Sequence, residues 1–185
     1  VAMVTEADGV IHAKVWGILP KDRVEIKSKK ENVDYKKLIA AGNCFAEGEE
    51  VIDYGFVERW ILGMAEKYGV EVMQIGYDRY NAISTVQKLE AAGMECVEVK
   101  QHSSVPPTKL LREAILKREF AYDENRLLEI NFQNARCTED TNLNKYVNKK
   151  RSAGKVDMVV SIIIAVYLMQ QAMLFDKSMD WAIQT

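Results

Sequence analysis

Two aspartates stand where a carboxylate could do chemistry. Asp78 ends the apolar stretch Gln74-Ile75-Gly76-Tyr77. A strand that finishes in an acid delivers the carboxylate to the carboxyl edge of a sheet, where α/β proteins place their sites. Asp157 stands at the mouth of a long apolar run and comes directly after Lys149-Lys150-Arg151-Ser152-Ala153-Gly154-Lys155-Val156. Hard carboxylate oxygens suit Mg²⁺, which keeps several waters and so needs only two or three acids from separate elements. The cations Lys149, Lys150, Arg151 and Lys155 could neutralise phosphates along a duplex. Each acid also has a plainer use. Asp78 can cap the next helix, and the helix dipole favours Asp157 in a first turn with no further role. Local pattern alone favours the plainer use of each.

Other candidates carry less. His102 comes after a strand and could act as a general base, but an exposed loop residue is the favoured reading, and His12 reads as a sheet residue. Ser84 and Ser152 have no His and Asp partners nearby in sequence, so a hydrolase triad has no support. There is no GxxxxGK[ST] and no GxGxxG, which argues against an ATPase or a dinucleotide site in these residues. Cys44, Cys96 and Cys137 are odd in number and form no CxxC pair, a pattern of free thiols in a reducing compartment rather than a zinc site. Trp60 with Phe56 reads as core.

The elements that must position these residues are set by punctuation and period. Val1 to Thr5 and Val10 to Leu19 are β-rich runs around Glu6-Ala7-Asp8-Gly9, a hairpin signal. Lys21 to Lys30 reads as a charged, exposed loop. Val33 to Ala41 has helical periodicity and stops at Gly42. Asp53 reads as the N-cap of a helix over Tyr54 to Tyr68 that Gly69 ends. Val70 to Tyr77 reads as a short buried strand, then a helix spans Ala82 to Ala92 and a strand Met94 to Gln101. This βαβ rhythm predicts a parallel segment of sheet. Pro106-Pro107 opens a helix to Lys117. Leu127 to Cys137 reads as a strand, or a short helix plus strand, and a final helix spans Val156 to Phe175.

The 185 residues, 48% hydrophobic and 28% charged, describe one ordinary globular domain over residues 1–185. A chain this long buries roughly two-thirds of its unfolded surface and folds without disulfides or a structural metal. The net charge of −2 makes it no general polyanion binder, so nucleic-acid contact must come from a local basic patch. No signal peptide is legible. The longest apolar run, Met158 to Met169, is only about twelve residues, short for a bilayer and suited to a buried helix. The opening Val1-Ala2-Met3-Val4-Thr5 already lies inside a strand-like run, as in a piece of something longer.

In order along the chain, several blocks resemble the C-terminal half of the terminase large subunit of tailed phages, in the branch often called phage terminase-like protein. They are Trp16 to Pro20, Tyr35 to Gly42, Glu49 to Tyr54, Ile75 to Ala82, Leu89 to Gly93, Gln101, Asn131 to Ala135, Lys149 to Ser152 and Gly154 to Asp157. The collinear set is more specific than any one block. The resemblance implies an α/β, ribonuclease-H-like mixed sheet, with an antiparallel hairpin first and parallel βαβ strands after it, flanked by helices. It implies an endonuclease that cuts concatemeric double-stranded DNA during packaging by two-metal hydrolysis with Mg²⁺ or Mn²⁺. Asp78 and Asp157 match the second and third acidic ligands, and Lys149, Lys150, Arg151 and Lys155 would lie near the scissile backbone. The implied partners are DNA, an ATPase domain on the same polypeptide, a small terminase subunit and a portal protein, in the cytoplasm of a bacterial host and with no membrane. The chain departs from the pattern at its start. The family's first strand carries an acid in a segment like Asp-Leu-Ser, and Val1 to Val4 resembles the residues just after that segment. Residues 1–185 are therefore expected to bind metal weakly and cut poorly. A non-catalytic DNA- or portal-binding module is the competing expectation. A flavodoxin-like or Rossmann-like domain fits less well, because such domains open βα.

Overall fold

The computed structural model describes residues 1–78, 82–100, 107–141 and 145–183, with backbone only beyond residue 174. The opening hairpin forms as the sequence predicts: β1 (Ala2–Ala7) pairs antiparallel with β2 (Val10–Val15). Asp8 and Gly9 both take positive φ, 53° and 78°, the geometry of a two-residue turn matched to strand twist. The second run breaks at Trp16. Its remainder, β3 (Gly17–Leu19), leaves the hairpin and runs parallel to β4 (Cys44–Ala46).

Lys21 to Lys30 is not a loop. After a 3-10 turn at Lys21–Arg23 it forms α1 (Val24–Glu31). Lys and Glu are strong helix formers even without an apolar face, and only Val24 of α1 is buried. Tyr35 Oη donates to Glu31 Oε2 at 2.6 Å, and Lys36 pairs with Glu25, tying α1 to α2 (Tyr35–Ala40). The helix after Asp53 is capped as expected, with the carboxylate accepting from Gly55 N at 2.8 Å. It is interrupted at Gly63 into α3 (Tyr54–Leu62) and α4 (Met64–Tyr68).

The βαβ segment is present but short-stranded. β5 (Ile75–Tyr77) is only half-buried, and α5 (Ile83–Ala91) leads to the parallel β6 (Cys96–Glu98). The remaining elements are α6 (Pro107–Lys117), β7 (Phe120–Tyr122), α7 (Arg126–Asn134), the antiparallel pair β8 (Cys137–Glu139) and β9 (Lys145–Val147), and α8 (Asp157–Ile183). Leu127 to Asn134 thus takes the helical alternative. β7 lies parallel beside β2, so β1-β2-β7 is a mixed sheet. Among the described residues, β5-β6 forms its own ladder and is not hydrogen-bonded to β1.

Helix α8 joins these parts. It packs on β1, β2, β5, α6 and α7. Met158, Val159, Val160, Ile162, Ile163, Ile164, Val166 and Leu168 are all buried. A helix apolar on every side needs cover on every side. The stretch Asp157–Leu174 is long and apolar enough to cross a membrane by length and composition, longer than the twelve-residue run implied, but here it is the helix around which the core assembles.

Candidate metal centre between a strand end and a helix start

Asp78 comes directly after the last residue of β5, and Asp157 is the first residue of α8. Both are exposed, and both line one groove of about 930 Å³. The strand and the helix meet because β5 lies flush on α8. A Cβ built on Gly76 would come within 2.3 Å of Ile164 Cγ2 and 2.8 Å of Leu168 Cδ1. Glycine is what lets the strand carry Asp78 so close to the helix that carries Asp157.

Among the described residues, the plainer use of Asp78 is not taken up. The N-cap of α5 is Ala82, which has no side-chain cap. Asp157 does sit in a first helical turn, where the dipole favours it, but its carboxylate faces a cation. Lys149 Nζ lies 3.0 Å from Asp157 Oδ1.

Asn131 holds the start of α8. It is 3% exposed and uses both ends of its amide. Its Nδ2 donates to the Leu127 carbonyl at 2.9 Å, and its Oδ1 accepts from Met158 N at 3.3 Å. A helix start has unpaired N–H groups, and here a buried residue of α7 meets one of them next to Asp157. The basic segment ahead of α8 is also shaped by asparagines. Asn148 Oδ1 accepts from Lys150 N at 3.0 Å and Arg151 N at 3.2 Å, and Asn134 Nδ2 donates to the Lys155 carbonyl at 3.2 Å. Lys150, Arg151 and Lys155 are exposed and make no ion pair among the described residues. Of the four predicted cations only Lys149 lines the groove.

Sequence reasoning gave Asn131 and Asn134 no role, although both lie in a block that carries the resemblance, and missed Asn148; single amides give no periodic signal. It also missed Asp123, which stands just past β7, lines the same groove and pairs with Lys14. A strand that short, with no flanking apolar run, is hard to see in sequence. Among the described residues, no three His, Cys, Asp or Glu side chains stand together as a ready metal cage. Two hard carboxylates open to one groove still suit Mg²⁺ or Mn²⁺, which fill the rest of their shells with water. His102 lies outside the described residues. His12 is a sheet residue on β2, exposed and facing the groove.

This combination defines an α/β, ribonuclease-H-like domain with Asp78, at a strand end, and Asp157, at a helix start, on one groove. The sequence model described as "Terminase large subunit, endonuclease domain" matches residues 1–172, and the chain belongs to that family of phage DNA-packaging nucleases. Among solved structures, the crystal structure of the HK97 bacteriophage large terminase superposes with a TM-score of 0.78 at 20% identity. The match covers 89% of this chain and 35% of that one, so the chain spans about a third of the length of the solved terminase and shares its fold over that part. No curated protein sequence matches.

Proposed function

We propose that this chain is a single metal-dependent endonuclease domain, cutting concatemeric double-stranded DNA during phage genome packaging. The observation that carries the reading is the placement of Asp78 and Asp157, from separate elements, on one groove with Lys149 at its rim. Asp78 and Asp157 would hold Mg²⁺ or Mn²⁺, two ions in the intact domain. The chemistry such ions supply is activation of water and neutralisation of charge on the leaving oxygen. The chain's own part is to aim two carboxylates from a rigid strand end and a helix start. Lys149, Lys150, Arg151 and Lys155 would bind the DNA backbone, Lys149 nearest the acids. A further acid, on polypeptide preceding Val1, would complete the ligand set, leaving residues 1–185 alone impaired. An ATPase domain upstream on the same polypeptide, a small terminase subunit and a portal protein are the partners this role requires, in the cytoplasm of the bacterial host.

One observation favours a second reading, a non-catalytic DNA- or portal-binding module: Lys149 already occupies one oxygen of Asp157. Crystals soaked in Mn²⁺ decide between them. Density on Asp78 and Asp157 is expected. Ordered carboxylates with no ion, and Lys149 still on Asp157, would overturn the metal reading.

A further inference from the structure

The segment between β9 and α8 carries Lys149, Lys150, Arg151 and Lys155 within seven residues and belongs to no regular element. Like charges in an irregular chain repel one another and extend it. This segment is folded nonetheless, and Asn148 is the node on which it folds. Asn148 follows the last residue of β9, and every one of its polar groups is used. Its N–H donates to the Arg136 carbonyl at 2.8 Å and its Nδ2 to Thr138 Oγ1 at 3.3 Å, anchoring it to the start of β8. Its Oδ1 accepts from Lys150 N at 3.0 Å and Arg151 N at 3.2 Å. Its carbonyl accepts from Ser152 N at 3.0 Å and Ser152 Oγ at 2.8 Å, and that hydroxyl oxygen accepts from Arg136 N at 3.2 Å. The far end is tied to α7, where Ala153 N donates to the Asn134 carbonyl at 3.0 Å and Asn134 Nδ2 to the Lys155 carbonyl at 3.2 Å.

Burial does not call for these bonds. Lys150 and Arg151 are exposed, and water would satisfy their N–H groups about as well as Asn148 does. What the bonds supply is shape. We propose that Asn148 is a positioning residue for duplex DNA, holding Lys150 and Arg151 in a turn that is formed before the phosphate backbone arrives. A loop already in its bound form loses less conformational freedom on association and so binds more tightly with the same charges. Lys149 is the one cation of the segment in an ion pair among the described residues, which leaves the other three open to phosphates. This role rests on the DNA-binding reading of the four cations and deepens it, because the group that positions them carries no charge itself.

The test compares the wild-type protein with Asn148→Ala and Ser152→Ala, neither of which removes a charge. Fluorescence anisotropy on a short labelled duplex, over a series of salt concentrations well below the melting temperature, reads the affinity of folded protein. Asn148→Ala is expected to bind about tenfold more weakly at every salt concentration. The slope of log affinity against log salt should not change, since it counts the phosphates neutralised. Ser152→Ala should shift affinity in the same direction by less. In the free Asn148→Ala protein, NMR order parameters of the Lys150 and Arg151 amides should fall from about 0.85 to below about 0.6. Wild-type affinity in both variants would overturn the proposal and leave the DNA reading standing. So would a loss of affinity with a flatter slope, or with amides as ordered as in the wild type. Absence of binding by wild type and variants alike would instead remove the DNA reading, and the positioning role with it.

Discussion

Lys149 Nζ and Asp157 Oδ1 lie 3.0 Å apart at the rim of the groove, so a cation of the basic segment and an acid of the candidate centre share one contact. Both side chains are more than half exposed, 52% and 63%. Screening at such exposure holds the pair's contribution to stability to about 0–1 kcal/mol. Lys149→Gln is therefore expected to leave the melting temperature nearly unchanged. It should strengthen Mn²⁺ binding, by freeing an oxygen of Asp157, and weaken duplex DNA binding. Paramagnetic titration and fluorescence anisotropy read the two effects. Changes of the same sign in both would contradict the shared contact.

The exposed cations should act through phosphates. Replacing Lys150, Arg151 and Lys155 singly by Gln is expected to weaken binding to any duplex sequence alike. Each change should flatten the dependence of log affinity on log salt by about 0.9. A sequence-dependent loss, or an unaltered slope, would remove them from the DNA interface.

Gly76→Ala tests whether β5 must lie flush on α8. The added methyl would stand 2.3 Å from Ile164 Cγ2. Overpacking of this kind costs about 1–3 kcal/mol, and relief by shifting β5 would carry Asp78 away from Asp157. Both denaturation midpoint and Mn²⁺ affinity should fall. Full stability with full affinity would show that the close approach is not needed.

Much of this arrangement was legible in sequence, and the parts that were not have physical reasons. Asp8-Gly9 announced the hairpin because two successive positive φ values restrict residue choice. Asp53 announced its helix through a cap. The positions of Asp78 after a strand and Asp157 in the first turn of a helix came from apolar runs of different length. The charged α1 was misread because its stability owes little to burial, so it has no apolar stripe to detect. The three-residue strands β4, β7 and β9 are too short for a period-2 pattern. That Asp78 and Asp157 share a groove was not readable at all locally, because the link between them is a glycine contact across the fold.

Asn131→Ala should separate position from presence. It removes the acceptor for Met158 N and leaves a buried N–H unpaired, at about 1–3 kcal/mol. The expected result is a destabilised protein whose Mn²⁺ affinity falls while Asp157 is still there. Asn131→Asp keeps an acceptor for Met158 N but loses the donor to the Leu127 carbonyl and buries a charge, so it is not expected to restore stability. Equal affinity in all three would limit Asn131 to a packing role.

Thiol reactivity checks the core independently. Burial pushes the Cys44 thiol from an ordinary 9.0 up to about 11, and burial, then the charge of Glu90, raises Cys96. Cys137 is exposed. At pH 8 a thiol reagent should modify Cys137 first and leave Cys44 untouched in the native state. Because the folded-state value is raised, the contribution of the neutral Cys44 thiol to stability is complete below pH 9 and declines as pH rises toward about 11. Rapid labelling of Cys44 at pH 8 would mean that β4 is packed more loosely than its burial implies.

Asp78 and Asp157 are held to serve one metal-dependent cutting site. A plasmid-cleavage assay with Mn²⁺ tests this most directly, comparing residues 1–185 with the polypeptide extended upstream, each with and without Asp78→Ala and Asp157→Ala. The predicted result is cutting by the extended protein, little or none by residues 1–185, and loss of cutting with either substitution. Cutting by the extended protein that survives either substitution would contradict it.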